Sequence, residues 1–199
     1  FSAGLQMEGY YPAIIGYPTD LNKFALSNFY VNWKDDDFQI TAGTFYDQFG
    51  SGLLFRSWED RTLGLNNALL GARATYNWED KIALKAFCGV PRLGKISEYG
   101  LMMGREGSFF GLGLADQVNV VAADLSVSLS NLLDWEEMSF YLEGSVLNKY
   151  EDMSDALLAL GCRDHNVGWS ARANVEVDGF YAKAEYVDAG IQLVNQFFE

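Results

Sequence analysis

Arg56, Glu59, Asp60 and Arg61 place two cations and two carboxylates within six positions. They lie in the stretch DQFGSGLLFRSWEDRTLGLNN at 47–67. Gly50 and Gly52 there allow positive backbone angles and close approach of the chain. Phe49, Phe55 and Trp58 supply an apolar anchor that a solvated surface loop would not need. Two readings stand side by side. One is a loop folded inward as a constriction or plug; the other is a compact surface loop held by local ion pairs. Catalysis has a poorer footing, because it needs a nucleophile, a base and an orienting group in mutual reach. His165 is the one histidine; it follows Asp164, and no activated serine motif accompanies it. Cys88 and Cys162 could form a single disulfide, but nothing has metal-ligand spacing. Gly111-Leu112-Gly113 lacks the βαβ context of a nucleotide loop. The expectation is therefore no catalytic residue, no metal and no cofactor, in a protein that is not an enzyme.

The elements that must position these residues follow from composition and periodicity. The 199 residues are 49% apolar, which excludes a disordered chain. A net charge of −13 excludes nucleic acid as a partner, since phosphate binding needs a basic patch. No apolar run is long enough for a transmembrane helix. Aromatics reach 15%, glycines number 20 and prolines three, a mixture suited to strands joined by tight turns.

Alternation with a period of two runs through the chain. In ALLGARATYNW, 68–78, one face carries Ala68, Leu70, Ala72, Ala74, Tyr76 and Trp78. The other carries Leu69, Gly71, Arg73, Thr75 and Asn77. Glu79 and Asp80 turn the chain, and Ile82, Leu84, Ala86, Cys88 and Val90 then share an apolar face. The unit recurs as Phe24 to Trp33 with Phe38 to Tyr46, as Val121 to Asn131 with Met138 to Asn148, and as Val167 to Val177 with Phe180 to Val187. Asp178-Gly179, in the last, is a strong two-residue hairpin signal. Phe1 to Tyr10 reads as the second half of an earlier hairpin, which makes about nine strands. Long loops at about 11–23, 47–67, 91–119 and 149–166 alternate with the short turns. The third loop is Gly-rich at 100–115; the fourth predicts a short helix between Ser154 and Gly161.

Long strands, strictly alternating long and short connections, and aromatics beside the short turns predict an all-β fold. It is an antiparallel up-and-down transmembrane β-barrel, or a segment of one, spanning 1–199 as a single domain. Trp33, Phe38, Tyr76, Trp78, Phe140 and Phe180 are the expected membrane-interface girdle. The polar face would line a lumen with Arg73, Lys85, Asp124, Glu143, Arg172, Glu176, Lys183 and Glu185. Arg172, Glu176, Lys183 and Glu185 suggest a cross-strand ladder. These charges either fill a narrow barrel with internal ion pairs or form a wall that sets selectivity.

The segment FYDQFGSGLLFRSWEDRTLGLNNALLGARATY, 45–76, resembles an uncharacterised family of Bacteroidota outer-membrane β-barrel proteins, porin-like in pattern. The glycine pair, Arg56, Glu59-Asp60-Arg61 and the Gly-Leu-Asn-Asn stretch carry the likeness. Similar proteins are longer, and the tail at 191–199 and the Gly-rich stretch depart from the pattern. The resemblance implies the outer membrane of a Gram-negative cell and brings no solute or catalytic residue with it. The expected function is porin-like passage or binding of a small polar solute, with outer-membrane lipid and other outer-membrane proteins as partners. The alternatives are a structural barrel within a larger outer-membrane assembly and a soluble β-sandwich binding module.

Overall fold

The computed structural model describes residues 1–9, 24–60, 65–91, 119–151, 155–159, 161 and 163–189. The loop expected at 11–23, residues 92–118 of the loop expected at 91–119, and the tail at 191–199 lie outside them. Nine strands form one antiparallel sheet: β1 (Ser2–Gly9), β2 (Phe24–Lys34), β3 (Phe38–Phe45), β6 (Leu69–Trp78), β7 (Ile82–Pro91), β8 (Asn119–Ser128), β9 (Met138–Tyr150), β10 (His165–Val177) and β11 (Phe180–Asp188). Two further strands, β4 (Glu59–Asp60) and β5 (Leu65–Asn66), make a separate small hairpin between β3 and β6. Each strand of the large sheet pairs with its neighbours in sequence, so the topology is an up-and-down meander. Among the described residues β1 and β11 do not pair, and the sheet is not closed into a barrel.

The turns follow the residues. Asp178 and Gly179 both have positive φ, 47° and 78°, the geometry of the two-residue turn that suits twisted strands. Glu79 and Asp80 adopt the same region at 49° and 55°, although neither is glycine. Several strand boundaries shift by one or two residues from expectation, and one shifts by three. Alternation carries a strand to Asn131, but β8 stops at Ser128. The Ser128 hydroxyl accepts from the Asn131 amide at 3.3 Å and caps a single helical turn, α1 (Leu129–Leu132). The expected loop helix is α2 (Asp155–Ala159); Gly161, at φ 88°, follows it, and Ser154 lies outside the described residues.

Register divides the sheet into two faces of opposite character. On the outer face, Ile40, Ala74, Ala86, Ala123 and Val146 form one cross-strand row. This face is apolar and largely uncovered: Leu84 and Leu125 are 44% exposed and Val146 49%. The inner face holds the buried residues. At the end of the long loops it carries Phe45, Leu69, Phe87, Val120, Ala122 and Leu147, which pack with Phe49 and Leu54 of the 46–58 loop. Farther along the strands the inner face becomes polar. The core of the molecule therefore lies between the sheet and its own loop.

Candidate functional site

The 46–58 loop is a narrow finger laid on the inner face. Its stem is tied by the Asp47 amide donating to Ser57 Oγ at 2.8 Å and the Ser57 amide donating to the Asp47 carbonyl at 2.8 Å. A bridge between Gln48 and Arg56 and a bond from the Phe49 amide to the Phe55 carbonyl continue the finger. Gly50 and Gly52, at φ 51° and 90°, turn its tip. The Phe49 ring is fully buried and meets Phe87 and Phe55 at centroid distances of 5.4 and 5.9 Å. This burial is the reason for the aromatics in the loop sequence: they seat it on the sheet.

Two charged contacts flank that apolar seat. The Asp47 carboxylate is nearly inaccessible and bridges two strands: Lys85 Nζ on β7 lies 2.6 Å from Oδ1, and Arg73 NH1 on β6 lies 3.2 Å from Oδ2. Lys85 also donates to the Gln48 carbonyl at 3.0 Å. At the tip, the Ser51 amide donates to Glu185 Oε2 on β11 at 3.2 Å. One short loop thus contacts the wall from β6 to β11, which requires the sheet to curl around it.

A second polar cluster crosses β8, β9 and β10. Arg172, with a side chain only 1% exposed, donates to Asp124, to Glu143 at 2.8 Å and to Ser145 Oγ at 2.9 Å. Ser145 in turn donates to Asp124 at 2.6 Å, and Asn174 donates to Glu143 at 3.3 Å. Each charge has an opposite partner, as burial demands.

The structure brings Arg73, Lys85, Asp124, Glu143, Arg172 and Glu185 to the inner face and joins them differently from the expected ladder. Arg172 stands opposite Glu185 in register, yet its guanidinium turns to Asp124 and Glu143, leaving Glu185 to the loop. Glu176 and Lys183 are exposed and join no ion pair among the described residues. Two long, hydrated side chains gain little from pairing there. Of the charges expected at 56–61, the structure describes three. Arg56 is exposed and stacks on Trp58 at 5.1 Å, while Glu59 and Asp60 lie in the β4–β5 hairpin. Arg61 is outside the described residues. Asp47 is a carboxylate that meets the wall, and sequence density did not single it out. Cys88 is a free thiol on the outer face; Cys162 lies outside the described residues.

The expected girdle residues Trp33, Phe38, Tyr76, Trp78, Phe140 and Phe180 all occupy outer-face positions near the short turns; Trp33 and Phe38 meet edge-on at 5.9 Å. A second aromatic pair, Trp169 and Tyr186 at 5.2 Å, sits on the same face at the long-loop end. Alternation back from Val177 would have placed Trp169 there. At the short-turn end the inner face opens into a cavity of about 760 Å³, lined by Gln39, Thr75, Lys85, Asp124 and Ser126, with Asp35, Asp36, Asp37 and Asp80 at its mouth. Lys81, also at the mouth, is held above its usual pKa by a 2.8 Å hydrogen bond from its ammonium to Glu79. The arrangement can bind or exclude polar solutes by charge. Among the described residues no cluster could hold a metal ion.

Gly50 offers a direct check on the seat of the loop. A Cβ there would stand 2.4 Å from Arg172 Cδ and 2.6 Å from Glu185 Oε1. Arg172 is held by its own partners, so the loop must move. Gly50→Ala is expected to speed protease cleavage between 47 and 57 while leaving the circular dichroism of the sheet intact. Gly161→Ala imposes a similar φ strain at 88° with no neighbour within 4 Å and should leave that cleavage unchanged. Equal cleavage of wild type and Gly50→Ala would mean that the loop is not seated as described.

A family model described as a family of unknown function (DUF6029) matches residues 1–197, so the chain belongs to that family. No curated protein and no solved structure matches the chain.

Proposed function

We propose that this DUF6029 chain forms the wall, or part of the wall, of a transmembrane β-barrel in a Gram-negative outer membrane of the Bacteroidota type. Its inner face serves passage or binding of a small polar solute, and the 46–58 loop narrows the lumen. The observation that carries the reading is the reversed polarity of the sheet. Apolar side chains such as Leu84, Leu125 and Val146 face outward uncovered, while Arg172 is buried on the inner face. Water would drive the opposite arrangement, and hydrocarbon favours this one.

Dimensions support the same reading. From Trp169 to Val177 on β10 is eight residues, or about 26 Å at 3.3 Å per residue. That approaches the height of an apolar band between two aromatic girdles, about 25 Å. A β-sandwich would need a second sheet over the outer face, and none is found among the described residues. In lipid the free edges of β1 and β11 would have to pair with further strands, because unsatisfied backbone groups are costly there.

The decisive experiment is detergent dependence. The purified chain should stay monodisperse only above the critical micelle concentration and should aggregate on dilution below it. A monodisperse, detergent-free monomer would reject the membrane reading. A structural barrel with a filled lumen is the second reading, favoured by the apolar packing of Phe49, Leu54 and Phe55 inside the long-loop end. Planar-bilayer recording separates the two: discrete conductance supports passage, and a silent, correctly inserted protein supports the filled barrel.

A further inference from the structure

We propose that Arg73 and Lys85 form an anion site on the inner wall, and that the loop's own Asp47 carboxylate occupies it as an internal stand-in for a solute. A small carboxylate or phosphate would then compete with the loop and loosen it. The inference rests on the inner face being accessible to solute, as the proposed function requires.

Three observations carry it. First, both cations belong to paired strands, whereas the carboxylate between them belongs to a loop. The site is therefore built by the sheet, and its occupant is the part that can leave. Second, Asp47 fills the site incompletely. It bridges the two cations with one oxygen each, at 2.6 Å to Lys85 and 3.2 Å to Arg73. The other hydrogen bonds of Arg73 are long, at 3.4 Å to the Tyr46 carbonyl and 3.4 Å to Thr41 Oγ1. Its buried Nε has no acceptor among the described residues. A guanidinium presents a fork suited to two oxygens of one anion, and a phosphate or free carboxylate can offer them where the tethered Asp47 does not. Third, Lys85 also lines the cavity of about 760 Å³ that opens at the short-turn end, so the site has an approach route.

The acidic groups of the cavity do not cancel the site: Asp124, opposite Lys85 in register, is already paired with Arg172, and the remaining carboxylates lie at the turns. Lys85 stands four residues along the chain from Lys81 at the turn, about 13 Å at 3.3 Å per residue. That exceeds the Debye length of about 8 Å at physiological ionic strength. Asp35, Asp36, Asp37 and Asp80 would slow entry of an anion more than they would weaken its final contact.

The test uses the full chain in a neutral, phosphate-free detergent. Hydrogen exchange is followed at the amide of Ser51, which donates to Glu185 of the wall, and at those of Phe49, Gly52 and Ser57, whose bonds lie within the folded loop. Inorganic phosphate and succinate are the two probes, each against chloride at matched ionic strength. Both probes should accelerate loop exchange in proportion to their concentration above Kd, by about tenfold at ten times their Kd, because binding competes with docking. Chloride should leave exchange unchanged. Asp47→Asn should exchange fast without any anion and respond to none; Arg73→Gln should lose the response. No acceleration in wild type, or equal acceleration by chloride, overturns the proposal. If Arg73→Gln fails to fold, the comparison of phosphate with chloride on wild type still decides. This readout needs no ion conduction, so its failure stays separate from failure of the barrel reading.

Discussion

Arg172→Ala is expected to destabilise the folded protein by about 3–5 kcal/mol, the usual result of removing one partner from a buried ionic cluster. The side chain is 1% exposed and is the only cation within reach of both Asp124 and Glu143 among the described ion pairs. Its loss leaves two carboxylates on adjacent strands facing each other without compensation. It also removes the donor that satisfies Ser145, and it takes away the stem against which Gly50 of the loop rests. Reversible unfolding in urea, in a fixed lipid or detergent, measures the change. The source of the loss can be isolated. Neutralising both acids in the same background, as Arg172→Leu with Asp124→Asn and Glu143→Gln, should recover most of the stability, because the penalty comes from uncompensated charge rather than lost volume. If the triple variant is as unstable as Arg172→Ala, packing and not electrostatics governs the site.

Arginine on the outer face should be nearly as damaging, and the two faces should respond in opposite ways. Ala86 lies opposite Ala74 and Ala123 in the middle of the outer apolar row. If that row faces lipid at the bilayer midplane, Ala86→Arg should cost about 2–4 kcal/mol of folding free energy in vesicles, and Leu84→Arg, nearer the turn, somewhat less. Ala83 and Thr75 line the inner cavity, so Ala83→Arg and Thr75→Arg should fold almost normally. Folding yield into vesicles across the four variants gives the comparison. In a soluble protein the outer positions are already hydrated, so Ala86→Arg would be harmless there and would improve solubility. A harmless Ala86→Arg therefore rejects the lipid-facing assignment.

Much of the architecture is local and therefore readable from the chain. A strand alternates its side chains every residue, so the two faces of β6 and β7 follow from the residue order alone. The turn at Asp178-Gly179 follows from the backbone freedom of those two residue types. Local competition explains the boundary that moved most: Ser128 offers its hydroxyl to the Asn131 amide, and one helical turn replaces the last residues of the expected strand. Burial pattern also follows alternation, which is why the inner charges were identifiable before their partners were.

Partnership is another matter, because it depends on curvature. Alternation and register put Arg172 beside Glu185, whereas the curled sheet lets the guanidinium reach Asp124, two strands away, and frees Glu185 for the Ser51 amide. The loop repeats the lesson. Its sequence density of charge lies at 56–61, yet a carboxylate outside that density, Asp47 at the stem, pairs with Arg73 and Lys85 of the sheet. A loop has no fixed period, so the order of its residues does not say which of them face the sheet. Residue order determined the strands, their faces and an apolar outer surface. Only the tertiary structure decided that the sheet wraps its own loop, because that outcome depends on the summed packing of Phe49, Leu54 and Phe55 against side chains scattered across the sheet.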